Sequence, residues 1–297
     1  MADMNPVAPP HVGESKFRPA HVEARDAQRT VPTPQTQSKS YALAFQDNEF
    51  MLRPDLRPVR FQLELLKPEL LLDEAKISST FVFYGSARIP EPEAAQELLA
   101  AARTDAERRV AERLAEKSRY YDEARKLARI AAQCPPTEEG CRHFVVCSGG
   151  GPSIMEAANR GAADVGAPTI GLNIVLPHEQ NPNPYVTPEL SFQFHYFALR
   201  KMHFTLRARA LAVFPGGFGT FDEFFELLTL VQTGKMKPIP ILVFGKDFWT
   251  RVVNFEALAE EGVISPRDLD LINWVETAED AWAVVERFYA DSAAPAC

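Results

Sequence analysis

The residues best suited to chemistry lie in two glycine-rich corners and in a basic stretch between them. The second corner, Pro215, Gly216, Gly217, Phe218, Gly219 and Thr220, leads directly into Asp222 and Glu223. Bare backbone ahead of a helix offers free N–H groups and the positive end of the helix dipole, a combination that favours an anion. The Glu223 carboxylate has two possible jobs. Thr220-x-x-Glu223 has the spacing of a capping box, in which hydroxyl and acid satisfy orphan N–H groups, and Ser153-x-x-Glu156 repeats it at the first corner. Spacing alone puts capping ahead of catalysis for both acids. A capping acid does not require a Pro-Gly-Gly-x-Gly turn, however, and two such corners in one chain point to a shared pocket.

The first corner, Gly149, Gly150 and Gly151, stands just before SIMEAANRGA. It fails the dinucleotide fingerprint, since Ile154 occupies the third glycine position, and no Gly-Lys-Ser/Thr follows to make a phosphate loop. Between the corners, residues 194–210 hold Arg200, Lys201, His203, Arg207 and Arg209. Arg207 and Arg209 read as cations favouring a helix C-terminus or as solvated stems. Arg200 and Lys201 fall at the helix start, where a cation opposes the dipole and calls for a phosphate or carboxylate partner. His195 and His203 have no metal-ligand partners at useful spacing, so no metal is assigned.

These residues need a frame to hold them. Apolar runs at 80–88, 142–151 and in PTIGLNIVLP, FQFHYF, ALAVFPGG, PIPILVFG and LINWVET read as strands, most followed by helical patterns. Alternation of strand and helix predicts an α/β, Rossmann-like doubly wound fold, with a mostly parallel sheet and helices on both faces. In such sheets ligands bind at the carboxyl ends of strands, where both glycine corners fall. Residues 78–292 form this domain. Residues 1–38 read as a disordered tail and 39–77 as an N-terminal helical extension, while 91–133 is predicted helical and broken in two, its charges a solvated face.

The bulk composition narrows the function. A formal net charge of -8 disfavours a nucleic-acid binder, which needs Lys and Arg against phosphates. The N-terminus lacks a signal-peptide pattern and no apolar run approaches a membrane span, so a cytoplasmic protein without a membrane partner is expected. The four cysteines show no C-x-x-C pair and read as buried or free reduced thiols.

Taken together, GSAR (85–88), SGGGPSIMEAANRGA (148–162), FALRKMHF (197–204) and PGGFGTFDE (215–223) resemble the LOG (Lonely Guy) family, whose signature is P-G-G-x-G-T-x-x-E. Every fixed position of that signature is matched, and the resemblance spans roughly residues 78–290. It implies hydrolysis of the N-glycosidic bond of a purine-type nucleoside 5'-monophosphate, a cytokinin riboside monophosphate or AMP, to free base and ribose 5-phosphate. It also implies no cofactor, and a homodimer or higher homo-oligomer. The family's catalytic pair falls on Arg200 and Glu223, 23 residues apart. The implied substrate-binding set is Ser86, Arg88, Gly149, Gly150, Gly151, Met155, Glu156 and Lys201, together with Pro215, Gly216, Gly217, Phe218, Gly219 and Thr220. Phosphate is expected against residues 216–220, and base and ribose against the rest of the pocket. Ser153-Ile154-Met155-Glu156 stands where shorter plant-type members carry Gly-Leu-Met-Gly, which resembles the longer bacterial branch. Many members carry the label lysine decarboxylase, which would need a pyridoxal phosphate lysine, and Lys201 alone lies near the motifs. A non-catalytic nucleotide or cofactor binder is the alternative from another class.

Overall fold

The computed structural model describes residues 18–177 and 181–290. The chain forms two compact units, residues 1–63 and 64–297. The first holds helices α1 (Ala20–Ala27) and α2 (Asn48–Met51), the latter capped by the Asp47 carboxylate, which accepts from the Phe50 N–H at 3.0 Å. Helix α1 lies inside the stretch expected to be disordered; residues 1–17 of that stretch are outside the described residues. Helix α3 (Arg57–Glu74) runs from the first unit into the second, with Pro68 buried within it.

The second unit continues with β1 (Thr80–Tyr84), α4 (Pro92–Ala101), α5 (Asp105–Lys117), α6 (Arg119–Ala132), β2 (Val145–Ser148) and α7 (Ile154–Ala163). It proceeds through β3 (Thr169–Ile174), β4 (Ser191–Phe194), α8 (Phe197–Leu206), β5 (Ala208–Val213) and α9 (Phe218–Gln232), and ends with β6 (Ile241–Phe244), α10 (Lys246–Val252), α11 (Phe255–Glu260), β7 (Asn273–Val275) and α12 (Ala278–Ala290). All seven strand candidates form strands, and every pairing is parallel. The region 91–133 breaks twice rather than once. Thr104 and Glu107 close a capping box that starts α5, and Ser118 separates α5 from α6.

Strand order is β4-β3-β2-β1-β5-β6-β7. The chain builds outward from β1 to β4, then crosses back to lay β5 on the other side of β1, so the order reverses between β1 and β5. The period-2 pleat sends Phe81 and Phe83 to one face, against α6, α7 and α12, and Val82 and Tyr84 to the other, with Phe204, Phe224 and Trp249. Both faces are therefore buried and β1 carries almost no polar side chain. Cys141 and Cys147 are free, as their spacing implies, whereas Cys134 is disulfide-bonded. Among the described residues no helix is long and apolar enough to cross a membrane.

Candidate active site

A cleft of about 630 Å³ opens where β1 and β5 end, at the reversal of strand order. Its wall is the turn Gly85, Ser86, Ala87 and Arg88 after β1, with Met155 from the start of α7, and its other side is Gly217 to Phe221 at the start of α9. Arg200 and Glu223 complete the lining. Arg200 comes from α8, which precedes β5, and Glu223 from α9, which follows it. The two side chains meet with Nη1 of Arg200 donating to Oε1 of Glu223 at 3.0 Å.

Three contacts fix the guanidinium before any substrate arrives. Nε donates to the Leu172 carbonyl of β3 at 2.7 Å, Nη1 holds Glu223, and Cζ stands 4.9 Å from the centre of the Phe204 ring. The side chains of Arg200 and Glu223 are only 10% and 14% exposed, so each charge depends on the other. Burial pushes the Glu223 carboxyl up from the ordinary range to about 7; Arg200 opposes the rise, and neighbouring Asp222 adds to it. A carboxyl balanced near neutrality can hold or release a proton at physiological pH, which suits it to general acid or base work. Beneath the pair, the Tyr84 phenol is held well above its usual value by burial and by the nearby Glu223 charge.

The capping boxes are not formed at either corner. Helix α9 starts three residues earlier than that spacing requires, with Gly217 as its N-cap, so Thr220 sits within the first turn with its side chain over Gly216. Glu223 is thereby left on the second turn, free to face Arg200. At the other corner Ser153 takes φ +64° and makes no cap bond, while Glu156 accepts from the Tyr121 hydroxyl at 3.0 Å. Glu156 is therefore engaged with α6 rather than lining the cleft.

The predicted binding residues separate into two groups. Ser86, Arg88, Met155, Gly217, Phe218, Gly219 and Thr220 line the cleft together with the Arg200–Glu223 pair. Arg88 forms no ion pair among the described residues, and Phe218 is 97% exposed. The others lie behind. A Cβ on Gly149 would come within 2.4 Å of Nη2 of Arg200 and 2.8 Å of Sδ of Met155, so this glycine makes room for the guanidinium. Gly150, at φ +71°, is pressed against the Asn173 side chain, and the Gly151 carbonyl accepts from Asn183 at 3.0 Å. Pro215 is buried, its carbonyl accepting from the Ser86 N–H at 3.2 Å, and ties the β5 corner to the β1 corner. Lys201 points to the other flank of α9, bridging Asp222 and Glu226 at 3.1 and 3.0 Å. The anions demanded by the cations at the start of α8 are thus carboxylates of α9.

Several supporting residues escaped sequence reasoning. Asn159, fully buried on α7, accepts from Ser148 at 2.7 Å and Asn183 at 2.9 Å and donates to Thr169 at 2.6 Å, which locks the β2 corner to β3. Glu64 of α3 accepts from the N–H groups of His195 and Tyr196 at 2.9 and 3.2 Å and so caps α8 from a distance of 131 residues in sequence. Arg207, read as a cation at a helix C-terminus or a solvated stem, stands at the C-cap of α8 and, rather than being solvated, clamps α3 through Glu69 and Asp73. Arg209 stacks over Phe144 and Tyr289. An acid and a base far apart in sequence carry no local pattern, and the only signal for Asn159 was a polar residue on an otherwise apolar helix face.

Comparison with known proteins bears directly on this arrangement. Residues 155–285, which contain Arg200, Glu223 and the whole Pro-Gly-Gly corner, match the model of a family described as "possible lysine decarboxylase". Over 147 residues the chain is 25% identical to cytokinin riboside 5'-monophosphate phosphoribohydrolase LOG3 of Arabidopsis thaliana, covering 48% of this chain and 67% of that protein. A probable enzyme of the same name in rice, LOGL3, is 26% identical over 152 residues, 48% of this chain and 68% of that one.

Over about half of its length the chain is similar to these proteins of the LOG family.

Among solved structures, that of TM1055 covers 70% of this chain and 99% of its own length at 17% identity with a TM-score of 0.44. The molybdenum cofactor carrier protein of Chlamydomonas reinhardtii covers 72% and 99% at 16% identity, with a TM-score of 0.41. In this chain the last acid of the Pro-Gly-Gly-x-Gly-Thr-x-x-Glu stretch, Glu223, is the one paired with Arg200.

Proposed function

We propose that this protein hydrolyses the N-glycosidic bond of a purine-type nucleoside 5'-monophosphate, releasing free base and ribose 5-phosphate. The observation that carries the reading is the buried Arg200–Glu223 pair, with a carboxyl near neutrality, on the floor of a cleft edged by the open N-terminus of α9. Cleavage of this bond builds positive charge on the ribose and negative charge on the leaving base, as in glycoside hydrolysis, where carboxylates flank the scissile bond. Ionised Glu223 stabilises that cation and can take the proton of an attacking water. Arg200, already held by the Leu172 carbonyl, keeps the carboxylate in place and orients the substrate beside it. The free N–H groups around Gly217, Gly219 and Thr220 suit a phosphate. Arg88, without an ion pair among the described residues, adds positive charge for an anionic substrate, while Ser86 and Met155 face the ribose and base.

The decarboxylase description attached to the family model finds no support in Lys201. Its two carboxylate partners raise its amine pKa despite the burial that works against the charge, and an amine so held is a poor nucleophile. The decisive experiment is chromatography of products from AMP, GMP, CMP and isopentenyladenosine monophosphate. Release of base by the wild-type chain and its loss in Glu223→Gln is the expected result. Tight AMP binding with no base released would establish the non-catalytic binder instead.

A further inference from the structure

A second cavity, of about 460 Å³, lies between the α5–α6 junction and α10, outside the cleft described above. It falls within the range of cavities that hold small organic ligands. Four of its lining side chains are cationic, Arg113, Lys117, Arg119 and Arg251, in a chain whose net charge is -8. Two of these are already occupied. Arg113 pairs with Glu116 at 2.9 Å, and Arg119 with Glu276 at 2.7 Å. Lys117 and Arg251 form no ion pair among the described residues; Asp247, one turn before Arg251 on α10, closes none with it. Lys117 spends one of its three hydrogens on the Arg113 carbonyl at 2.8 Å and keeps two for another acceptor. Partial burial presses its ammonium below the ordinary lysine value, with Arg113 and Arg251 adding repulsion against the help of Glu116. Lys117 and Arg251 repel each other at this cavity, and the four cations of its lining outnumber its two carboxylates, an imbalance that an incoming anion relieves. Glu116, paired with Arg113, and Asp247 also line the cavity, and the rest of its wall is Tyr120, Phe248 and Val252.

We infer that this cavity binds a phosphorylated small molecule, its phosphate between Lys117 and Arg251 and its carbon skeleton against Phe248 and Val252. The inference does not depend on the proposed hydrolysis, since none of these residues lines the cleft. Lysine and arginine together match phosphate, the first as a point charge and the second as a fork of parallel donors.

The test reads Lys117 directly. Methyl acetyl phosphate, an anionic reagent that transfers its acetyl group to an amine and releases methyl phosphate, is applied to the intact protein, and acetylated peptides are measured by mass spectrometry. The neutral N-hydroxysuccinimidyl acetate serves as the comparison, because a merely reactive amine responds to both reagents. Lys117 is expected to be labelled at least about tenfold faster than exposed Lys235 and Lys237 by the anionic reagent but not by the neutral one. Pyrophosphate is expected to protect it, and Arg251→Gln, a substitution on an exposed side chain, to remove the preference while leaving circular dichroism unchanged. Equal preference with both reagents, or labelling indifferent to pyrophosphate and to Arg251→Gln, would overturn the inference.

Discussion

The two glycine corners look alike in sequence and do opposite things in space. At the end of β5, Gly217 and Gly219 have no atom within 4 Å of where a Cβ would stand, and the bare backbone faces the cleft. At the end of β2, Gly149 and Gly150 are filled from behind by Arg200, Met155 and Asn173, and the turn is bolted down by the Asn159 network. One set of glycines leaves space for a ligand, and the other leaves space for the protein's own guanidinium. A run of glycines therefore reports only that something approaches the backbone closely. What approaches it is decided by residues far away in sequence.

The comparison can be tested from its most sensitive point outward. The largest effect is expected at Glu223, where Gln preserves shape and removes the charge. Base release from AMP should fall by roughly 10²–10⁴-fold, the usual worth of a positioned acid or base, with the circular dichroism spectrum unchanged. Gly149→Ala comes next. Its methyl group collides with Arg200 although it touches no substrate, so the rate should drop by on the order of 10–100-fold, the scale of a misplacement of about 1 Å. If Gly149→Ala retained full activity, the view of this corner as a seat for Arg200 would be lost.

Asn159→Ala strips the β2 corner of its bolt and leaves Ser148 and Asn183 short of a partner. About 2–3 kcal/mol of stability should be lost in urea unfolding, with a smaller change in turnover by the folded fraction. The pH response follows from Glu223. Its folded pKa, about 7, exceeds its ordinary 4.5, so the native state binds the extra proton between these values and the wild type loses stability as pH rises through that window. Glu223→Gln lacks this slope, and its unfolding free energy should overtake the wild type's between pH 4.5 and 7. The rate should rise with pH toward a plateau above about 7 if the carboxylate is the active form. The smallest effect is expected for Gly217→Ala, an exposed position with negative φ. Stability should move by less than about 0.5 kcal/mol, while KM for AMP rises if the open corner holds the phosphate.

Much of the fold was legible because it depends on local pattern. Seven apolar runs ending in glycine or turn residues became seven strands, and the glycine corners fell at strand ends, as parallel connections require. The extra break in 91–133 was written in Thr104 and Glu107, a capping box inside a run of good helix formers. The pairing of Arg200 with Glu223 was reached through the family resemblance and not through spacing, which favoured capping. Capping lost because Gly217 starts α9 one turn early, and no residue-level rule marks which of several adjacent glycines will be the cap. The roles of Gly149, Asn159 and Glu64 were not legible, since each is defined by a partner on another element.

One feature of the sheet sets how this site comes into being. Arg200 precedes β5 and Glu223 follows it, yet β5 lies between β6 and β1, the latter well over a hundred residues earlier, while Arg200 also grips a carbonyl of β3. The geometry of the pair therefore rests on contacts distant in sequence. Contacts of such long range form late, so the cleft should appear only with the completed sheet, and a nucleotide that fits it should slow unfolding far more than it speeds refolding. For this protein, ligand binding is a gauge of whether the molecule has finished folding.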